Sequence, residues 1–280
     1  MHHDHDHGLA HDLHTLNATR LKRRRALAWM AGVGAGALPL IGCGGSSADA
    51  GSSTTTSSSS SSSGTTTSTT SCSVIPTETN GPYPADGTSS LNALQLSGIV
   101  RSDIRSSFAG ATGVAAGVPL TVTLTLVNTD ASCANLAGYA IYIWHCDRAG
   151  LYSLYSSGVT GENYLRGMQA TDSNGQVTFT TIFPACYSGR WPHIHFEVFP
   201  SLALATSVSR VSKISQLALP QGACNAVFAT TGYSASVGNL SRITLASDNV
   251  FSDGVTLEMA AVTGSVSAGY AAALTVGVAA

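Results

Sequence analysis

The chain has 280 residues, of which 10% are charged, and its formal net charge at pH 7 is −2. The one cluster of basic residues, at positions 22–25, precedes the predicted folded domain, so the charge pattern argues against a nucleic-acid-binding protein. No internal repeat is evident, and the 44% of hydrophobic residues suffices for one domain with a sizeable core.

Residues 1–43 form a predicted leader. Residues 2–14 are rich in histidine and either bind metal loosely or resemble a tag. The basic stretch 22–25 leads into an apolar run, 26–42, which is typical of a secretory signal with a twin-arginine-like start. The run ends in the residues Leu-Ile-Gly followed by Cys43, which resemble a bacterial lipobox with Cys43 as the lipidated first mature residue. A transmembrane anchor is the alternative, but the run is of marginal length and contains glycines.

This leader predicts an exported protein, carried by the twin-arginine route and located in the periplasm or at the cell surface. Its contact with a membrane would be made through the signal and a lipid on Cys43. Residues 44–71 are almost entirely Ser, Thr and Gly, which cannot bury apolar area, so they predict a flexible tether.

The remaining part, residues 72–280, predicts a single all-β domain. Residues 120–127 alternate threonine with apolar side chains, and residues 176–183, 255–262 and 273–278 also have strand patterns. Turns rich in Gly and Ser separate these segments, and no long amphipathic helix is evident. The pattern alone predicts a β-sandwich.

Cysteine usage is compatible with an oxidising compartment. If Cys43 carries a lipid, five cysteines remain: Cys72, Cys133, Cys146, Cys186 and Cys224. We expect two disulfides and one thiol, with a connectivity that the sequence does not define. A zinc site built from cysteines is disfavoured because no Cys-x-x-Cys occurs.

The pattern with the clearest chemistry is His193-Ile-His195. Side chains alternate along a strand, so the two imidazoles share a face and can converge on one metal ion, whereas Ile194 points away. A bare His-x-His pair is often no more than a polar face of a strand. Here Tyr187 can add a phenolate oxygen and Arg190 a fixed positive charge, and nitrogen with anionic oxygen suits a hard metal such as ferric iron.

Upstream of this pattern, an apolar strand ends near residue 147 in a loop that holds Tyr152 and Tyr155. Residues 172–175, with the sequence Asp-Ser-Asn-Gly, predict a turn before the strand at 176–183. With these pieces the chain resembles the intradiol ring-cleavage dioxygenases, over roughly residues 72–280. The matching segments are 79–83, 143–147, 150–153, 172–175, 184–187, 189–196, 248–254 and 264–270.

The resemblance implies a transthyretin-like β-sandwich with a non-haem Fe(III) site in loops and strand ends at one edge. It implies four metal ligands, which are Tyr152, Tyr187, His193 and His195. It also implies catalytic roles for Tyr187, which substrate would displace, for Arg190, and for a glutamine that best matches Gln216. Tyr155 shares the loop but not the motif position, and we expect His145 to be a hydrogen-bonded structural residue.

The implied reaction uses O2 to open a catechol-type ring between its two hydroxylated carbons and gives a muconate-type dicarboxylate. The implied partners are a small aromatic diol and O2; the oligomeric state is not indicated. The alternative is a non-enzymatic, membrane-tethered binding or carrier module that retains the metal site. A metallo-hydrolase is a third possibility, although two tyrosinates are unusual for a zinc hydrolase.

Overall fold

The computed structural model describes residues 72–280. The predicted leader and tether lie outside the described residues. Nine strands and two short α-helices make up this part of the chain. They are β1 Pro119–Asn128, β2 Ala134–Asn135, β3 Ala140–Trp144, β4 Arg166–Ala170, β5 Gln176–Ile182, β6 His193–Phe199, β7 Lys213–Ala218, α1 Gln221–Phe228, α2 Ser234–Leu240, β8 Ala261–Ser265 and β9 Gly269–Val278.

Two sheets face each other. The first has the order β2-β1-β9-β8, with β5 also paired to β1, and its β1–β9 pair is parallel. The second has the order β4-β3-β6-β7 and is antiparallel throughout. The predicted β-sandwich is therefore confirmed.

The core between the sheets follows from alternation along the strands. In β1 the side chains of Leu120, Val122 and Leu124 are buried, whereas the intervening threonines face outward or are only partly covered. Ile194 and Phe196 of β6 pack in the same core, opposite these β1 residues. This period of two is the reason that the sequence pattern identifies β1 correctly.

The second sheet is unusual in being buried on both faces. Its outer face carries Tyr142, Trp144 and Phe199, and a segment that precedes β1, including Leu94 and Ile99, packs over them. All seven residues of β6 are consequently buried. Side chains on this outer face are therefore shielded from bulk water, and that is where the candidate site lies.

Several local predictions are confirmed, and one is wrong. The strands predicted at 120–127, 176–183 and 273–278 correspond to β1, β5 and β9, and residues 172–175 form the predicted turn. Of the strand predicted at 255–262, only residues 261 and 262 lie in a strand. The amides of Glu258 and Met259 instead donate to the carbonyl of Val255, which closes a turn.

The predicted number of disulfides is also wrong. The described residues contain one disulfide, Cys72–Cys133, and three buried free thiols, at Cys146, Cys186 and Cys224. Each thiol packs in a core cluster and donates to a backbone carbonyl, so it fills apolar volume instead of bridging. Within residues 72–280, no helix has the length and apolarity to cross a bilayer.

Candidate metal centre

Four side chains converge on the outer face of the second sheet. The Nε2 atoms of His193 and His195 are 3.1 Å apart. The phenol oxygen of Tyr152 lies 3.5 Å from His193 Nε2, and that of Tyr187 lies 3.3 Å from the same atom. Nitrogen and oxygen atoms that share one metal ion at about 2.0–2.2 Å lie roughly 3 Å from each other, so these spacings match a common coordination sphere.

The strand geometry positions the histidines. They are the first and third residues of β6 and lie on the same face. His193 Nδ1 lies 2.5 Å from the carbonyl oxygen of Trp191, which fixes the ring with Nε2 towards the site. The ring of His195 stacks on Trp144, its neighbour on β3, with 4.8 Å between centroids and an interplanar angle of 5°.

Backbone contact from the segment before β1 completes the packing around His195. Gly81 has a φ of +68°, and a Cβ placed there would lie 3.1 Å from His195 Cε1. Glycine is therefore favoured at this position both by its backbone conformation and by the close approach of the ring. The sequence reasoning included Gly81 in a matching segment without assigning it this role.

Tyr152 is held in the loop between β3 and β4. Asp147 Oδ1 accepts hydrogen bonds from the amides of Ala149 and Leu151, which forms the turn before the tyrosine. The amide of Tyr152 donates to Ser156 Oγ, and its ring packs 4.8 Å from that of Tyr83. The tyrosine is buried as a result.

Tyr187 lies in the connection between β5 and β6 and is half-buried. The preceding residue, Cys186, makes two hydrogen bonds with α2: its amide donates to Ser236 Oγ, and its carbonyl accepts from Asn239 Nδ2. Gly150 of the Tyr152 loop packs against the tyrosine, because a Cβ on this glycine would lie 3.2 Å from Tyr187 Cβ. The two candidate tyrosine ligands thus come from loops that touch each other.

Electrostatics keep the donor set ready for a cation. Burial lowers the pKa of His193 to about 3 and that of His195 well below its usual value, so both imidazoles are neutral at pH 7. Burial and the neighbouring Tyr187 raise the pKa of Tyr152. Phenolates here consequently need a compensating positive charge, and a highly charged hard metal ion would supply it.

Within residues 72–280, no group of three or more His, Cys, Asp or Glu side chains is arranged to bind a metal ion. The candidate donor set is of a different kind, because half of it is phenolic. Neutral nitrogen together with anionic oxygen fits a trivalent, oxygen-preferring ion. The residues present therefore fit the ferric iron that the resemblance implies.

Arg190 borders the candidate centre and is held from two sides. Its Nη2 donates to Gln216 Oε1 at 2.7 Å, and its Nε donates to Asp248 Oδ2 at 3.0 Å. Gln216 lies opposite His195 in the β6–β7 pair, and its Nε2 donates to the carbonyl of Thr79. Both residues that the resemblance assigns to the site therefore lie beside the candidate centre, and their roles stay predictions.

The predictions that Tyr155 is not a ligand and that His145 is a hydrogen-bonded structural residue both fit the geometry. The hydroxyl of Tyr155 accepts a hydrogen bond from the amide of Ala85, so Tyr155 supports the chain segment before β1 instead of joining the four donors. His145 is buried, with Nδ1 2.8 Å from the Cys146 carbonyl oxygen and Nε2 2.7 Å from Thr181 Oγ1. Asp248 is the site residue that sequence reasoning missed, although it begins the matching segment 248–254.

Comparison with known proteins finds similarity in sequence and in fold. The Dioxygenase family model matches residues 102–206. An intradiol ring-cleavage dioxygenase from Tetranychus urticae has a similar fold, with a TM-score of 0.58 and 26% identity over 74% of this chain and 94% of its own. A second solved dioxygenase has a TM-score of 0.58 and 25% identity over the same shares. No protein of curated function matches the sequence. The matched segment and the shared fold confirm the predicted resemblance of the described domain to the intradiol ring-cleavage dioxygenases.

Proposed function

We propose that this protein is an intradiol dioxygenase that uses non-haem Fe(III) and O2 to open a catechol-type ring between its two hydroxylated carbons. The observation that carries the proposal is the convergence of the donor atoms of Tyr152, Tyr187 and His195 within 3.5 Å of His193 Nε2 on a shielded face. The product is a muconate-type dicarboxylate. Both oxygen atoms of O2 enter it, so no external reductant is needed.

Tyr152, Tyr187, His193 and His195 would hold the iron. When bound, ferric iron supplies Lewis acidity that lowers the pKa of catechol hydroxyls and makes the chelated ring reactive towards O2. Two phenolates leave one positive charge of the trivalent ion to be balanced by hydroxide or by substrate. The neutral histidines add no charge, which makes this balance favourable in a buried site.

Proton transfer on substrate binding is assigned to Tyr187. This side chain is half-buried, whereas Tyr152 is buried beneath Tyr83, so Tyr187 is the tyrosine that substrate would displace. Once displaced by substrate, the Tyr187 phenolate oxygen would be basic and would take a proton from a catechol hydroxyl. Tyr152 would remain in place and keep the centre assembled.

Arg190 is assigned the stabilisation of negative charge that develops on the ring and on oxygen. Its Nε and Nη2 are engaged by Asp248 and Gln216, and its Nη1 makes no hydrogen bond to the described residues. That group can therefore donate to substrate. A preformed donor in a site shielded from water is the arrangement that stabilises a charged transition state most effectively.

The first test is the visible absorption spectrum of the full-length chain loaded with ferric iron, before and after catechol is added without O2. We expect a tyrosinate-to-iron charge-transfer band that shifts when catechol binds. A folded, iron-exposed protein with no band and no response to catechol would refute the proposed function and favour a binding module.

Single-site variants then test the ligands. Tyr152→Phe and Tyr187→Phe should each weaken or abolish the band because each removes a phenolate donor, and Tyr155→Phe is the matched control from the same loop. Unchanged colour in both ligand variants would contradict the assignment. Release of the dicarboxylate in the presence of O2, followed by mass spectrometry with labelled O2, would establish the reaction.

We further propose that the protein is exported through its leader and anchored by a lipid on Cys43. The Cys72–Cys133 disulfide supports an oxidising compartment. Cys43→Ala should convert a membrane-associated protein into a freely released one in fractionated cells. Equal membrane association of both forms would refute the lipid anchor.

A further inference from the structure

Asp248 has no role in the proposed function, although it is a fully buried carboxylate in contact with Arg190. It lies between α2 and β8, whereas Arg190 precedes β6. The two side chains form an ion pair with 3.0 Å between Arg190 Nε and Asp248 Oδ2. A buried ion pair is costly unless its geometry is good and further hydrogen bonds satisfy both partners.

The two carboxylate oxygens of Asp248 make different connections. Oδ1 accepts the amides of Val250 and Phe251, which fixes the turn that follows Asp248 itself. Oδ2 accepts Arg190 Nε and the amide of Trp191. The carboxylate therefore joins the turn at 248–251 to the segment that carries Arg190 and leads into His193.

These bonds leave Arg190 with a defined orientation. Asp248 holds Nε and Gln216 holds Nη2, so two different nitrogens of the planar guanidinium are fixed. The Phe251 ring lies beside the group, 6.0 Å from Arg190 Cζ. Because a guanidinium is rigid, fixing two nitrogens also fixes the direction of the third, Nη1.

Asp248 also balances the charge of Arg190. Arg190 is 3% exposed, and an isolated cation so deeply buried would be strongly disfavoured. The carboxylate of Asp248 is the acid that forms an ion pair with it. Gln216, the other partner, is neutral and contributes a hydrogen bond without charge compensation.

We propose that Asp248 is a positioning residue for the dioxygenase reaction: it holds Arg190 so that Nη1 faces the substrate before the substrate arrives. The proposal rests on the proposed function. Within residues 72–280, the Asp248 side chain makes no hydrogen bond to the four candidate iron ligands, and it acts through Arg190. Its removal should therefore slow turnover more than it affects iron binding or catechol chelation.

Asp248→Asn is the informative substitution. An amide oxygen can still accept the amides of Val250 and Phe251, but an NH2 group then faces the donors of Arg190 and Trp191. In the full-length, iron-loaded chain we expect kcat for catechol to fall roughly 10–100-fold, as is common for residues that support an active-site group. Iron content, the tyrosinate band and the anaerobic dissociation constant for catechol should stay near their wild-type values.

A double-mutant cycle separates positioning from a general structural role. With Arg190→Met in the background, Asp248→Asn should reduce kcat by no more than about twofold further, because the residue through which Asp248 acts is already absent. Asp172→Asn is the matched control, since the Asp172 carboxylate also accepts two backbone amides, in the exposed turn at 172–175. It should leave kcat unchanged.

The outcomes distinguish the two proposals. A wild-type protein that is uncoloured and opens no ring refutes the proposed function. If the wild type turns over and Asp248→Asn has the same kcat, the positioning role alone is overturned. An equal fold-loss of kcat from Asp248→Asn in the wild-type and Arg190→Met backgrounds also overturns it.

A measurement on the metal-free wild type keeps the proposal testable if Asp248→Asn does not fold. The Nε–H of Arg190 should exchange with solvent far more slowly in nitrogen-15 NMR spectra than that of Arg105, whose pairing with Asp103 is exposed. Arg190→Lys identifies the signal. Equally fast exchange of the two arginines would overturn the proposal.

Discussion

Arg166 provides a quantitative test of how the site is supported. It is the first residue of β4 and is 1% exposed. Its guanidinium donates five hydrogen bonds, to the carbonyl oxygens of Tyr83, Pro84 and Ser153, to Ser153 Oγ and to the hydroxyl of Tyr142. One side chain thus ties the segment before β1 and the loop that carries Tyr152 to the second sheet.

The substitution Arg166→Met keeps most of the aliphatic volume and removes every donor. The carbonyls of Tyr83 and Ser153 lose this donor, whereas the Pro84 carbonyl still accepts from the Tyr142 hydroxyl. Each unsatisfied buried acceptor costs about 1–3 kcal/mol. Because Tyr83 is half-buried, water can replace part of this loss, and we expect the free energy of unfolding to fall by about 2–5 kcal/mol. For a domain of this size that corresponds to a decrease in Tm of at least about 4 °C.

Denaturant titration of the full-length protein, followed by tryptophan fluorescence, measures this loss. Arg105→Met is the matched control, because the Arg105–Asp103 pair has side chains 43% and 50% exposed. Exposed pairs contribute about 0–1 kcal/mol, so the control should be nearly neutral. Equal losses in the two variants would refute the view that Arg166 is the buried connection between the loop and the sheet.

Three further predictions concern acid stability, the disulfide and the glycine behind the metal centre. Burial lowers the pKa of His145 to about 4. The unfolded chain therefore binds a proton near pH 6.5 that the folded chain does not, and this contribution, up to about 3 kcal/mol, is lost as pH falls from 6.5 to 4. His145→Gln should flatten that part of the stability curve, and an unchanged slope would contradict the reasoning. The double variant Cys72→Ser, Cys133→Ser opens a loop with a sequence separation of 61 and should lower the free energy of unfolding by up to about 4 kcal/mol; an unchanged denaturation midpoint would be inconsistent with this. Gly81→Ala should weaken iron binding more than Gly138→Ala, which is a substitution at another positive φ with open space around it. Iron titration measures both affinities, and equal affinities would contradict the prediction.

The part of the site that sequence could predict is the part that local geometry dictates. His193 and His195 are two residues apart on a strand, and the alternation of side chains is sufficient to place both rings on one face. Tyr152 precedes His193 by 41 residues, so its approach depends on the loop between β3 and β4 and on the β3–β6 pairing. No periodicity encodes that approach, and only the family resemblance indicated Tyr152.

The wrong predictions have the same origin. Residues 255–262 have strand-forming side chains, but the amides of Glu258 and Met259 find acceptors within the turn, and the amide of Ala260 bonds to the carbonyl of Ala218 in β7. The sequence shows which residues favour a strand but not which backbone partner is available. Cysteine pairing is equally non-local, since Cα positions and not cysteine counts decide which thiols can bridge.

The pairing of Arg190 with Asp248 shows where the limit lies. Burial of an arginine in a chain with so few charges predicts an acidic partner, because an uncompensated cation would be expelled or would unfold the site. The chain has 15 acidic residues, and the one that pairs is 58 positions away, beyond two strands and both α-helices. The burial of Arg190 is visible only in the folded chain, and so is the choice of Asp248, whose turn brings Oδ2 to both Arg190 Nε and the amide of Trp191. Asp248 therefore becomes a testable site residue only once the fold shows both the buried charge and its neighbour.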